Sequence, residues 1–299
     1  MTPPTFCIIT PSYAPDFERC RLLCQSIDQF ISPIVKHYII VDKTDLKLFK
    51  PLQNKNREII PKESILPWWI KKVPILQSKN IWLSLKTPPI RGWLVQQLIK
   101  MAIAQYIQED ILIFVDSDVS FVRPFNLYDN LIQDGKVRFF RELNSIPHDL
   151  GRFPQWFETI SQLLQVPMTE FPAHNYVCQI VTWRRDNVLK LYETLEKYSN
   201  RHWIETFCSC WDISEYVLYG VFVDQVLGET SGHYYAQPQI CHHYWREKFL
   251  SHEDLKQFIL EIEPYQIAIM ISAKANIAVE QYQDLLELVP TLKYDSEKA

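Results

Sequence analysis

Two spacings of apolar residues alternate along the chain. Thr5–Thr10, Val35–Val41 and Ile111–Val115 are largely apolar runs rich in β-branched and aromatic residues. Such runs predict strands buried on both faces of a sheet. Between them, Leu22, Leu23, Ile27 and Phe30 lie at helical spacing behind Asp16, predicting a helix over 17–30 with Asp16 as its N-cap. Leu94, Leu98 and Met101 predict a second helix over 93–108. The alternation continues with a strand over 136–142, a helix over 153–166, a strand over 176–183, a helix over 185–198 and a strand over 234–236. This order predicts an α/β fold with a mixed, mainly parallel sheet flanked by helices. Prolines interrupt residues 44–89, where at most one short strand is expected, over 75–85. From Ser251, with Asp254 three residues on, helical spacing returns. A final helix is expected over 278–288. The chain therefore divides into a domain over 1–250 and a mainly helical extension over 251–299, packed on it and without visible chemistry. Within that extension Ile267–Ile271 is an apolar run of either type.

The run Ile111–Val115 ends in Asp116-Ser117-Asp118. Ligands of open α/β sheets bind at the carboxyl ends of the strands. In extended backbone, residues i and i+2 project to one side, so both carboxylates can converge there. Unpaired, they would repel and one would stay protonated. A divalent cation, Mn²⁺ or Mg²⁺, removes that conflict because both ions prefer oxygen ligands. The plainer alternative has one Asp capping a turn and the other meeting Arg123.

Other residues fall at the same sheet edge. The tip after the first strand carries Thr10, Ser12 and Tyr13, and Asp42 follows the second strand. Arg91, just before the 93–108 helix, and Gln97 or Lys100 on it are candidates to hydrogen-bond a ligand held at the Asp pair; the plainer alternative has Gln96 and Lys100 simply solvated. Asp212 and Glu215 are three apart, so on a helix both point the same way. Asp212 is equally a candidate N-cap. His242 and His243 follow a strand, and one of them is a candidate third metal ligand. A zinc site from Cys208, Cys210, Cys241 and His242 is a rival, but Cys-x-Cys departs from the usual zinc spacing.

Composition narrows the picture. A net charge of −4 gives no electrostatic case for nucleic acid. Seven Cys at irregular spacing do not suggest a disulfide scaffold. The start of the chain lacks a signal-peptide pattern, and no apolar run approaches the roughly 20 residues a membrane span needs. A cytoplasmic protein is expected, with peripheral membrane contact left open. Only 6 Gly are present, and neither glycine-rich phosphate-loop pattern occurs.

The succession Thr10-Pro11-Ser12-Tyr13, Gly92-Trp93-Leu94-Val95-Gln96-Gln97-Leu98-Ile99-Lys100, Phe114-Val115-Asp116-Ser117-Asp118-Val119, Ser214-Glu215-Tyr216-Val217-Leu218-Tyr219-Gly220 and a late His resembles the GT-A fold (Rossmann-like) glycosyltransferases. It is most similar to an uncharacterised bacterial group classed as a domain of unknown function. The resemblance covers roughly 5–250. It implies a nucleotide-sugar donor facing Thr10, Pro11, Ser12 and Tyr13, with Asp42 at the base or ribose. Arg91, Gln97, Lys100 and Ser117 are further donor contacts. It also implies Asp116 at the ribose and metal, Asp118 at the metal, and His242, or His243, as third ligand. The His-x-x-Gly-x-x-Lys pattern of one retaining group is missing.

The activity implied is metal-dependent transfer of a sugar from a nucleotide diphosphate to a hydroxyl acceptor, such as a growing glycan. Inversion needs a carboxylate base, for which Glu215 is the first choice and Asp212 the second. A nucleotidyltransferase would also use paired acids, but with a Gly-rich basic loop. An Asp-nucleophile phosphatase would carry the pair on its first strand. A nucleotide-sugar-binding pseudo-enzyme would bind without turnover.

Overall fold

A computed structural model describes residues 3–72, 81–247 and 250–289. The strands that position the site are β1 (Phe6–Pro11), β2 (Lys36–Val41), β3 (Arg57–Pro61), β4 (Ile111–Val115), β5 (Val119–Phe121), β6 (Ile180–Arg184), β7 (Cys241–Tyr244) and β8 (Ala268–Ile271). The helices are α1 (Phe17–Phe30), α2 (Gly92–Ala102), α3 (Phe153–Leu164), α4 (Arg185–Ser199), α5 (Glu215–Val221) and α6 (His252–Leu260).

The main sheet has the order β6-β4-β1-β2-β3. β4, β1, β2 and β3 run parallel, and β6 joins β4 antiparallel. The α/β expectation with a mixed, mainly parallel sheet is met. The unbroken apolar run of β4 follows from its position. Leu112 and Phe114 pack on one face with Leu98 and Met101 of α2, while Ile111, Ile113 and Val115 pack on the other with Leu23 and Ile27 of α1. Period-two alternation thus feeds two cores, and neither face tolerates a polar residue.

A smaller sheet, β7-β8-β5, stands beside it, with β8 parallel to β7 and antiparallel to β5. The ambiguous run 267–271 is therefore a strand, and residues beyond 250 pair directly with the segment after Asp118. The expected 278–288 helix is instead two short turns, Val279–Gln281 and Gln283–Leu286. Ser251 caps α6 as expected, accepting from the Asp254 N–H. The expected short strand over 75–85 lies partly outside the described residues; Ile81–Ser84 is a strand. Among the described residues no helix is long and apolar enough to cross a membrane.

Inside the fold, His233 opens a strand over His233–Ala236 that pairs parallel with Lys136–Phe140. Its Nδ1 donates to the Val137 carbonyl at 3.1 Å, and its Nε2 lies 2.8 Å from the Tyr219 hydroxyl. Nε2 is thus the acceptor of that hydroxyl proton. Burial pushes the imidazole pKa down to about 4, from 6.5. Because the folded value is depressed, the native state resists protonation. Stability is full above pH 6.5 and lost as pH falls through about 4. The loss is expected to reach about 3 kcal/mol. Urea titrations at pH 7.5 and 4.5 check it: a His233→Gln variant should lose that part of the acid sensitivity.

Candidate active site

Because β1 and β4 are adjacent and parallel, their carboxyl ends lie side by side. The β1 tip and the Asp116–Asp118 turn therefore meet at one edge. A cleft of about 420 Å³ opens there. Pro11, Tyr13, Asp16, Asp116, Ser117 and Asp118 form one end, and Trp93, Gln96, Gln97 and Lys100 of α2 form one side. Ser214, Glu215 and Tyr216 at the start of α5 line it too, as do Phe153, Trp156, Val177 and Trp245.

Lys100 is the hub. Its Nζ lies 3.1 Å from Asp116 Oδ1 and 3.5 Å from Glu215 Oε1, and donates to the Tyr216 hydroxyl at 2.5 Å. Burial opposes its charge, but Asp116, Tyr216 and Glu215 together raise its pKa well above the ordinary lysine value. Gln97 sits one turn away, and its Oε1 accepts from the Glu215 backbone N–H at 2.9 Å. That bond fixes where α5 begins. Lys100 is 7% exposed and so is not the solvated surface residue the helical pattern allowed, and Gln97 is buried beside it at 2%. Burial raises the Glu215 carboxyl, with Lys100 pulling the other way.

At the other end, Asp118 Oδ2 accepts from the Ala273 N–H at 3.1 Å, a donor supplied just after β8. Burial, then the charges of Asp116 and Asp16, push the Asp118 carboxyl up to about 7. Asp16 occupies the N-cap position of α1 but makes no capping bond. It turns instead toward Arg19 at 3.6 Å and accepts from Ser117 Oγ at 3.4 Å.

Among the described residues Asp16 pairs with Arg19, and Asp116 and Glu215 share Lys100, so with Asp118 the cleft holds carboxyl groups in excess of cations. That excess, together with the raised Asp118, suits a divalent cation. Among the described residues no group of three or more His, Cys, Asp or Glu is arranged to hold a metal. Asp116 and Asp118 are the residues that would hold such an ion, since Mg²⁺ commonly takes one or two carboxylates and completes its shell with water and phosphate oxygens.

Other sequence candidates lie elsewhere. His242 is not beside the acid pair: its Nε2 donates to the Phe258 carbonyl at 3.0 Å and its ring stacks on Phe258 at 4.2 Å. His243 contacts Trp245 edge-on and does not line the cleft. Asp212 precedes α5 rather than sharing a face with Glu215, and pairs with Arg152 at 3.2 Å. The helix starts at Glu215 because Ser214 is extended, which breaks the i, i+3 relation. Arg91 stacks on the Trp211 ring at 3.5 Å, outside the cleft lining. Asp42 is held by Lys62 at 3.0 Å and Lys72 at 2.6 Å, one strand beyond β1. Thr10 is buried against His37 and Ser12 is buried beneath the tip. Cys208, Cys210, Cys241 and His242 form no metal group among the described residues. Unforeseen members of the lining are Asp16, Trp93, Gln96, Trp156, Tyr216 and Trp245. Of these, only Trp93 and Gln96 carried a signal, as a Trp–Gln pair at helical spacing.

The fold is that of an α/β protein with an acid-lined cleft at the carboxyl edge of a mainly parallel sheet. Residues 6–280 match the family of unknown function DUF6492, and the chain belongs to that family. No curated protein matches it by sequence. Among solved structures, mouse xyloside xylosyltransferase 1 in its apo form is similar with a TM-score of 0.48 and 12% identity, covering 92% of this chain and 100% of that one. An active-site mutant of LgtC gives a TM-score of 0.47 and 11% identity, covering 97% and 98%.

Proposed function

We propose that the protein is a metal-dependent glycosyltransferase of GT-A type, moving a sugar from a nucleotide diphosphate to an acceptor hydroxyl. The observation that carries this is the convergence in one cleft of the β1 tip, the Asp116–Asp118 pair and the Lys100–Glu215 pair. Pro11 and Tyr13 border the nucleotide, with Ser117 as a further donor contact that also holds Asp16 at this end of the cleft. Asp116 and Asp118 would hold a divalent cation, which would supply neutralising charge to the diphosphate.

The acceptor oxygen forms a bond to the anomeric carbon as the bond from that carbon to the phosphate oxygen breaks. The electron pair leaves with the nucleoside diphosphate, and the acceptor proton passes to Glu215. Burial suits Glu215 to this task, since a carboxylate with a raised pKa is a stronger base near neutrality. Lys100 keeps it ionised in the resting state and fixes its direction. Gln97 sets the start of α5 and so the position of the base. This assignment makes the reaction inverting.

The test is turnover of a panel of UDP- and GDP-sugars with Mn²⁺. Glu215→Gln is expected to lower kcat for transfer by about 10²–10⁴-fold while leaving the donor KM within a few-fold. Loss of donor binding with kcat retained would remove Glu215 from the chemistry. Donor binding in the parent with no turnover of any panel member would mark a pseudo-enzyme.

A further inference from the structure

The cleft is not uniform. Its acid end is the β1 tip and the Asp pair, whereas its far end is aromatic. Trp93, in the first turn of α2, is 43% exposed. Its ring stacks on Trp156 with centroids 5.9 Å apart and planes 25° apart. Trp156 is in turn buttressed by Phe153 at 4.8 Å. An indole this exposed is held rigid from behind and open in front. What sets Trp93 apart is its place, for its backed ring is part of the cleft wall, where a bound molecule can cover its free surface. Gln96, three residues on, presents an amide on the same side of the helix, and both side chains line the cleft.

An aromatic face beside an amide fits one ligand class well. A sugar ring offers an apolar C–H face to the indole and hydroxyls to the amide. Along the axis of α2, Trp93 lies roughly 10 Å from Lys100, at 1.5 Å per residue. Lys100 marks the acid end, since its Nζ meets Asp116 at 3.1 Å. A ring on Trp93 therefore sits beyond the sugar being transferred.

We propose that the acceptor is a saccharide, whose ring stacks on Trp93 and hydrogen-bonds Gln96, and that this platform selects carbohydrate over lipid, phenolic or peptide hydroxyls. The proposal rests on the glycosyltransferase reading for the role of the bound sugar, but not for its binding.

The experiment has two arms. In the first, saturation-transfer NMR follows binding of methyl hexosides and disaccharides to the parent, Trp93→Ala, Trp93→Phe and Asp118→Asn proteins, with no donor present. At least one saccharide is expected to bind the parent. Trp93→Ala should weaken it tenfold or more, Trp93→Phe should restore most of the affinity, and Asp118→Asn should retain it. In the second, transfer from the accepted donor to that saccharide is measured. Trp93→Ala should raise the saccharide KM at least tenfold more than the donor KM. The proposal is overturned if no saccharide binds the parent, if Trp93→Ala binds saccharide as the parent does, or if only non-carbohydrate hydroxyls accept. A parent that binds saccharide through Trp93 yet turns over no nucleotide-sugar would sink the glycosyltransferase reading and leave the platform standing. Donor hydrolysis without saccharide binding would do the reverse.

Discussion

Asp118→Asn is expected to cost at least two decades in turnover of a nucleotide-sugar and to abolish the response to Mn²⁺. The substitution keeps the shape of the side chain and removes its charge. An interaction between unit charges at 4 Å is worth ~4 kcal/mol at an effective dielectric near 20. Losing one ligand of a doubly charged ion therefore exceeds the ~2.7 kcal/mol that two decades require. A second readout needs no substrate. In the metal-free parent the Asp118 carboxyl titrates at about 7, above its unfolded value near 3.8. A raised folded value means that stability is present below the unfolded pKa and lost as pH rises through about 7. At pH 8 the metal-free variant should therefore melt above the parent, because the cost of burying the Asp118 charge, and then its repulsion with Asp116 and Asp16, is gone. Added Mn²⁺ should then raise the parent's Tm and leave the variant's unchanged. Equal Mn²⁺ stabilisation of both proteins would place the cation elsewhere.

Lys100→Met is expected to be the most destabilising single change in the cleft. Lys100 is 7% exposed and its ammonium serves Asp116, Glu215 and Tyr216 at once. Breaking a buried pair by removing one partner leaves uncompensated charge and costs about 3–5 kcal/mol. For a chain of this size that lowers Tm by roughly 5–8 °C. Combining Lys100→Met with Glu215→Gln should recover part of the loss, because one of the stranded carboxylates is then neutral. Calorimetry of the two single variants and the double variant reads the coupling directly. Strict additivity would mean that Lys100 and Glu215 do not interact in solution.

What the sequence made legible was the local and the periodic. The residues of β4 announce a doubly buried strand because no polar side chain interrupts them, and α1 was read with the bounds it has, Phe17–Phe30. The convergence of Asp116 and Asp118 with the β1 tip followed from parallel neighbours sharing a carboxyl edge. What failed depended on partners remote in the chain. Asp16 has a capping position and composition, yet Ser117, 101 residues away, draws it into the cleft. His242 was read as a ligand because it follows a strand, but Phe258 supplies both its hydrogen-bond acceptor and its stacking surface. Asp212 fell out because one extended residue, Ser214, shifted the start of a helix that periodicity could not date. Lys100 allowed a solvated reading because nothing local reveals that α5 covers it together with Gln97.

The clasp between β8 and the Asp118 turn carries a temporal consequence. Ribosomes release a chain from its N-terminus, and earlier parts fold as they emerge. The main sheet is complete once Arg184 is out, yet the N–H that orients Asp118 belongs to Ala273. A nascent chain that ends there thus holds every strand of the main sheet but lacks both the donor to Asp118 and the residues after 200 that cover the two faces of β4, so scaffold and site are completed by the same late segments.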